Sequence, residues 1–410
     1  MSSAFKRLRY RCFVVPAAQR KQQIAIQHIR QQGKARVVLL ASSLSMWRLE
    51  EVRALMLKKP EHFEVHVILA PFARLSEAEN EAELGRLREY FVSKGIEYEQ
   101  ADAFSRIDPD IVFYPQFYRG SYAGALRAKD NEQRLLCYSP YGMMFIDEPW
   151  QYNSRFHNVA WRIFLQSEAH RQTASKLCFN RASNVCVAGD ADSDAFLRPA
   201  CENVWKGQDG VKRVIWAPHH SFGQSNRLGR DSFLWTAGTM KKLAEEYAGR
   251  IQFAFKPHPR LKTELYNHPD WGRERTDEFY AFWQNSGNTQ LESGSFTELF
   301  KGSDALIHDC NSFLAEYMYT GRPALFLSHD IEKVKAPFSA FGRDAVDAHY
   351  LASEAEGIRA FIDDVVLGGK DTMQTRRDAF KDKYLTAGSG LGFAARVVDE
   401  IEKSIWPEQR

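Results

Sequence analysis

The sequence offers no framework of paired cysteines. Its six cysteines, Cys12, Cys137, Cys178, Cys186, Cys201 and Cys310, are scattered, and no two of them form a CxxC pair. That pattern argues against a disulfide scaffold or a structural zinc site and fits a reducing cytosol. No apolar run approaches the roughly 18 residues needed to cross a bilayer. The N-terminus is basic but lacks the apolar stretch and cleavage site of a signal peptide, so a cytoplasmic location is expected. A dinucleotide GxGxxG, a phosphate-binding GxxxxGK[ST] loop and a GxSxG elbow are all missing, which weakens dehydrogenase, NTPase and α/β-hydrolase readings. A formal net charge of +3 is too small to signal a nucleic-acid partner. There is no RNA-binding or zinc-finger signature either, so no nucleic acid is expected. Internal repeats and low-complexity segments are likewise lacking.

One local absence points to a partner. Residues 1–34 hold Lys6, Arg7, Arg9, Arg11, Arg20, Lys21, Arg30 and Lys34 but no Asp or Glu. Phe5, Leu8, Tyr10, Phe13, Val14 and Val15 are interleaved with the first four of these. Such a segment is either a peripheral anchor on anionic lipid, at the inner face of a membrane, or a solvated leader packed on the first domain. Pro16 is expected to break it into two short helices.

What remains is ordinary for a globular chain of 410 residues, with 44% hydrophobic and 26% charged residues, and the length favours two domains. Short apolar strands alternate with longer helical stretches through both halves. In the first half the expected strands are Ala35–Ser42, Phe63–Ala70, Pro109–Tyr114, Leu135–Tyr138 and Asn184–Ala188. Helices are expected over Leu49–Lys58 and Glu77–Lys94, and one long helix over Val159–Asn180. A polar stretch, Cys201–Gly210, precedes a second set. Its strands are Arg213–Ala217, Ile251–Lys256, Ala305–His308 and Ala324–Leu327, with helices at Phe233–Tyr247, Phe296–Lys301 and Ser312–Tyr319. Continuous β-branched runs between helices call for parallel, doubly wound sheets. The expected fold is therefore α/β, with two facing Rossmann-like domains at 35–200 and 211–386. A final segment, 387–410, carries a helix that crosses back onto the first domain.

In open α/β sheets ligands bind beyond the carboxyl ends of the strands. In the second half those ends carry Pro218-His219-His220-Ser221, then Lys256-Pro257-His258-Pro259-Arg260, then His308-Asp309-Cys310-Asn311-Ser312. Glu292-Ser293-Gly294-Ser295 precedes the Ala305 strand. The helix start at Asn311 and Ser312 offers unpaired N–H groups to an anion, and Lys256, His258 and Arg260 add positive charge. Together with Ser295 they form a candidate diphosphate site, although Asn311 or Ser312 can equally be a simple N-cap. Glu316, four residues beyond Ser312, can bind ribose hydroxyls or be an exposed first-turn carboxylate. No metal is expected, because His219 and His220 have no third ligand at zincin spacing, and no cofactor is expected.

The second half resembles the CDP-glycerol glycerophosphotransferase family, the teichoic-acid and capsule glycerophosphotransferases. NVCVAGDADSDAFL (Asn184–Leu197) is similar to the segment that closes that family's first domain. IWAPH (Ile215–His219), KPHP (Lys256–Pro259) and DALIHDCNSFLAEYMYTGRPALF (Asp304–Phe326) are similar to three later motifs, in the family's order. The resemblance covers about residues 184–401. It implies a GT-B fold, a CDP-activated donor on the second domain, contact of His258 with the donor phosphate, and roles for Asn311, Ser312 and Glu316 at matching positions. The first domain departs from the pattern. Ser139-Pro140-Tyr141-Gly142 is the nearest match to the family's Trp-His-Gly-Thr, with Tyr141 where that family has a histidine that is a catalytic candidate. A phenol is a poor base at neutral pH. The base is then sought in Asp147 or Glu148 of the same loop or in His219 or His220, while Tyr141 and Tyr138 are candidates to contact an acceptor sugar. The implied reaction moves a glycerol-phosphate or related alditol-phosphate group to a hydroxyl of a glycan or lipid-linked cell-surface precursor. The alternatives are a nucleotide-sugar glycosyltransferase, a nucleotide-sugar epimerase and a non-catalytic nucleotide-binding module.

Overall fold

A computed structural model describes residues 3–199, 203–207, 210–222, 232–294, 296–386 and 391–407. The chain forms two compact units, Met1–Asp194 with Tyr384–Arg410, and Ala195–Lys383. Each is built on a six-stranded, wholly parallel sheet.

The first sheet holds β1 (Ala35–Ala41), β2 (Phe63–Leu69), β3 (Ile111–Tyr114), β4 (Leu135–Tyr138), β5 (Arg162–Leu165) and β6 (Val185–Val187), in the order β2-β1-β3-β4-β5-β6. Its central strands are apolar at every position because helices cover both faces. The closing helix Phe393–Ile405 packs Val397, Ile401 and Ile405 into one of these cores. Asp194 caps that helix from a distance, accepting from the N–H groups of Phe393 (2.6 Å) and Ala394 (2.8 Å).

Two expectations fail in this unit. The stretch Val159–Asn180 is not one helix. It contains the end of a short helix (Arg155–Val159), then β5, then a helix over Glu168–Leu177. The run Arg-Ile-Phe-Leu is buried between β4 and β6, and pairing with both neighbours overrides its helix-compatible spacing. Nor does Pro16 break the N-terminal segment. Helix runs from Ser3 through Gln32, with a wider π turn at Tyr10–Val14 just before the proline. Pro16 sits in the first turn after that irregularity, where a missing N–H costs little.

The second sheet holds β7 (Lys212–Ala217), β8 (Ile251–Phe255), β9 (Thr289–Leu291), β10 (Ala305–His308), β11 (Ala324–Leu327) and β12 (Tyr350–Ala352), ordered β12-β11-β10-β7-β8-β9. The order reverses between β7 and β10, which makes their carboxyl ends the topological switch point of a Rossmann-type sheet. Beneath that point Trp216 of β7 is fully buried among Phe233, Phe255 and Trp283, with ring centroids 5.8, 4.8 and 5.4 Å away. Burying side chains of this size contributes about 2–3 kcal/mol each, so the backbone leaving β7 starts from a fixed position.

Candidate functional site

The switch point is pinned by Asp309, a fully buried carboxylate just beyond β10. Its Oδ1 accepts the N–H of His219 at 2.6 Å, beyond β7, and its Oδ2 accepts the N–H of Ser232 at 3.1 Å, where the next helix begins. Cys310 adds a weak thiol bond to the carbonyl of Ala217 (3.4 Å). The loop beyond β8 joins the same frame, because the N–H of His258 donates to the carbonyl of Pro218 (3.1 Å).

This frame gathers three imidazoles. The His219 ring lies 4.2 Å from that of His220 and 4.9 Å from that of His258, and His220 and His258 are 4.0 Å apart. One ring nitrogen from each lies within 4.8 Å of the others, so the spacing admits a metal ion. No third ligand stands beside His219 and His220 at a metal-binding spacing in the sequence; the fold supplies His258 from the adjacent strand.

Hydrogen bonding decides what two of these rings can do. The backbone N–H of Ser221 points at Nδ1 of His219, and that of Arg260 at Nδ1 of His258, each at 3.2 Å. Ser221 Oγ lies 2.9 Å from the same His219 nitrogen. A ring nitrogen that accepts an N–H carries no proton, so the neutral rings hold theirs on Nε2. A metal-binding histidine shows the reverse, a bare nitrogen toward the metal and an N–H toward a carbonyl or carboxylate. Paired Nε2–H donors suit an anion instead.

The other expected residues are placed unequally around this centre. Lys256 follows β8, and its ammonium donates to the carbonyl of Gly294 at 2.6 Å. Burial pulls its pKa below the usual range, with Glu292 partly opposing this. Ser295 lies outside the described residues. Arg260 turns away: its exposed guanidinium pairs with Glu264 on the next helical turn. Asn311 and Ser312 lie beyond β10, and Ser312 stands at the N-cap position without using its side chain as a cap. The helix they open is shorter than the expected Ser312–Tyr319. Only Phe313–Glu316 is α-helical, followed by a 3₁₀ turn, Tyr317–Thr320, that Gly321 ends with a φ of 70°. A dipole of two short turns contributes less than the full helix expected from sequence. Glu316 is buried rather than exposed. In the first unit Tyr141 and Asp147 both lie in the exposed loop beyond β4, whereas Tyr138 is buried.

Sequence reasoning passed over Asp309, although an aspartate following a buried strand at a switch point was a usable signal. Residues 196–403 match the family described as CDP-Glycerol:Poly(glycerophosphate) glycerophosphotransferase. The chain belongs to that family. It is a glycerophosphotransferase-like transferase, and the matched region contains the whole histidine site. No curated protein matches it closely in sequence. Among solved structures it is similar to a His-to-Ala variant of the wall teichoic acid polymerase TagF, with a TM-score of 0.61 at 11% identity over 99% of each chain. A TagF variant soaked with CDPG gives 0.58 at 12% identity, over 98% of this chain and 97% of that one. A UDP-GlcNAc 2-epimerase of Neisseria meningitidis bound to UDP-GlcNAc gives 0.55 at 14%, over 90% of this chain and 100% of that one. At these identities the likeness establishes the two-domain α/β fold of GT-B type.

Proposed function

We infer that the enzyme transfers a glycerol-phosphate or closely related alditol-phosphate group from a CDP-activated donor to a hydroxyl of a glycan or lipid-linked cell-surface precursor. The observation that carries the reading is the convergence of His219, His258 and Lys256 at the switch point of a sheet in this family. The Nε2–H groups of His219 and His258 hold the donor diphosphate, with the lysine charge beside them. Ser312 and Asn311 complete the phosphate contacts, and Glu316 lies on the nucleotide side. The acceptor oxygen attacks the phosphorus that carries the glycerol. The bond from that phosphorus to the bridging oxygen breaks, and CMP departs with its charge stabilised by the donors. The hydroxyl proton passes to a carboxylate base, for which Asp147 is the candidate; His219, with its proton on Nε2, serves as a donor to the diphosphate and not as the base.

The TagF structure with CDPG supports the donor. The experiment is product analysis with CDP-glycerol, UDP-N-acetylglucosamine and a lipid-linked acceptor extract. CMP released only with CDP-glycerol and only in the presence of acceptor supports the reading. Release of UDP or epimerised sugar would replace it with the glycosyltransferase or epimerase reading, and no turnover of any donor would favour a non-catalytic module.

The same reading places the enzyme at an anionic membrane surface. Among the described residues no helix is long and apolar enough to cross a membrane. The N-terminal helix instead exposes Phe5, Leu8 and Phe13, the last at 70%, among Lys6, Arg7 and Arg9. An exposed apolar row within a segment free of acidic residues matches a surface of anionic lipid.

A further inference from the structure

The first unit carries an aromatic array that the donor chemistry does not use. It begins beneath the surface, where Phe117, just beyond β3, packs against His157 (4.3 Å between centroids) and edge-on against Tyr138 (5.4 Å). Phe117 touches Tyr118 at 4.5 Å, and Tyr118 lies 6.1 Å from Trp150, with the two rings inclined by 33°. Tyr118 is 38% exposed, Tyr141 42% and Trp150 53%. Burial raises the pKa of the Tyr118 phenol, and the neighbouring Tyr141 adds to the rise.

These rings are held in place. Trp150 stands on a short helix, Pro149–Tyr152, whose first residue fixes its own φ and whose last, Tyr152, is buried. Tyr118 is braced by Phe117 from below. Large aromatic side chains left in water at the carboxyl ends of two neighbouring strands, β3 and β4, lose hydrophobic stabilisation that a simple packing role would have kept.

The geometry points to a platform, formed by Tyr118 and Trp150, that binds a neutral sugar ring of the acceptor. Aromatic faces pack against the C–H face of a pyranose, and phenol hydroxyls and carboxylates satisfy the hydroxyls on its rim. In the stretch leading to Trp150 the charges are Asp147 and Glu148, both negative and both exposed. Those carboxylates, with the exposed Arg119 that follows Tyr118, can accept from and donate to the hydroxyls of a sugar ring, and together they give the patch no net positive charge to attract an acyclic polyol phosphate. The inference deepens the acceptor half of the proposed function and rests on it only for the role of the sugar, since binding itself needs no donor.

The test is saturation-transfer NMR on the full chain without nucleotide, with maltose, chitobiose and glycerol 3-phosphate as probes. Ring C–H signals of at least one disaccharide should be saturated. They should fall at least severalfold in Trp150→Ala and in Tyr118→Ala, and persist in Trp150→Phe, which keeps a stacking face. Trp150→Ala removes a half-exposed side chain, so its fold should survive, and CDP binding in that variant should match the wild type. Saturation of glycerol 3-phosphate alone, no saturation of either sugar, or equal sugar signals in wild type and both alanine variants would each overturn the platform. Loss of vesicle binding in Trp150→Ala without any sugar signal would overturn it in favour of a membrane contact. Sugar binding that persists while CMP release fails would leave the platform standing and remove only the proposed reaction.

Discussion

Replacing Asp309 by asparagine should damage both stability and donor binding, for one geometric reason. The carboxylate has an oxygen for each of two backbone donors, His219 N–H at 2.6 Å and Ser232 N–H at 3.1 Å. An amide keeps one oxygen and turns an NH₂ toward the other donor. A hydrogen bond to a charged group contributes about 1.5–3 kcal/mol net, and a buried N–H facing another donor forfeits that amount. For a unit the size of Ala195–Lys383, about 2 kcal/mol lowers the melting temperature by roughly 4–8 °C. The displaced His219 loop should also weaken CDP binding by about tenfold, the equivalent of 1.4 kcal/mol. Scanning calorimetry and isothermal titration on the same preparation measure both effects. An Asp309→Asn variant that melts and binds CDP like the wild type would refute the view that this carboxylate sets the position of His219. A variant that melts lower yet binds normally would confine Asp309 to stability.

The second unit should be sensitive to acid. Burial drives His349 down to about 4 and His308 well below its usual value, so both are neutral when folded. The unfolded chain takes up their protons first, hence stability is full above about pH 6.5 and falls below it, by about 2 kcal/mol at pH 5 for His349 alone. Melting curves from pH 7.5 to 5 should show the loss, with a flatter profile for His349→Gln. In the first unit Asp190 acts with the opposite sign, because burial raises its carboxyl to about 7 and favours the folded state as pH falls. Asp194→Ala should cost about 1–2 kcal/mol by removing the distant cap of the Phe393–Ile405 helix, read as a lower denaturation midpoint. Protein lacking residues 1–34 should lose binding to anionic vesicles, and salt should weaken binding of the full chain, since such attraction is screened over about 10 Å at 0.1 M. Equal binding by both forms would remove the membrane surface from the account.

The sheets were largely legible in the sequence. β-branched and apolar runs such as Ala35–Ala41 and Ala305–His308 have no other stable fate between two helix layers. The four-residue strand Arg162–Leu165 was not, because a short apolar run flanked by helix formers has no period of its own. Short edge strands at Thr289–Leu291 and Tyr350–Ala352 escaped for the same reason. In the site, the strand ends of the second sheet could be grouped from the α/β rule, but the close packing of three imidazoles could not. Nothing in the spacing of His219 and His258 reports that β7 and β8 are neighbours, or that the N–H groups of Ser221 and Arg260 fix the proton on Nε2. Arg260 shows the converse: its charge sits at the right place in the sequence, and an i+4 carboxylate, Glu264, takes it away.

The most direct test of the account is titration of CDP into the wild type and into His258→Ala, with turnover of CDP-glycerol measured on both. If His258 donates to the donor diphosphate and to the phosphate of the departing CMP, the alanine variant should fold normally, bind CDP at least tenfold more weakly and lose about 2.7–4 kcal/mol of transition-state stabilisation, a hundredfold or more in rate. A well-folded His258→Ala enzyme with near-normal affinity and near-normal turnover would contradict it.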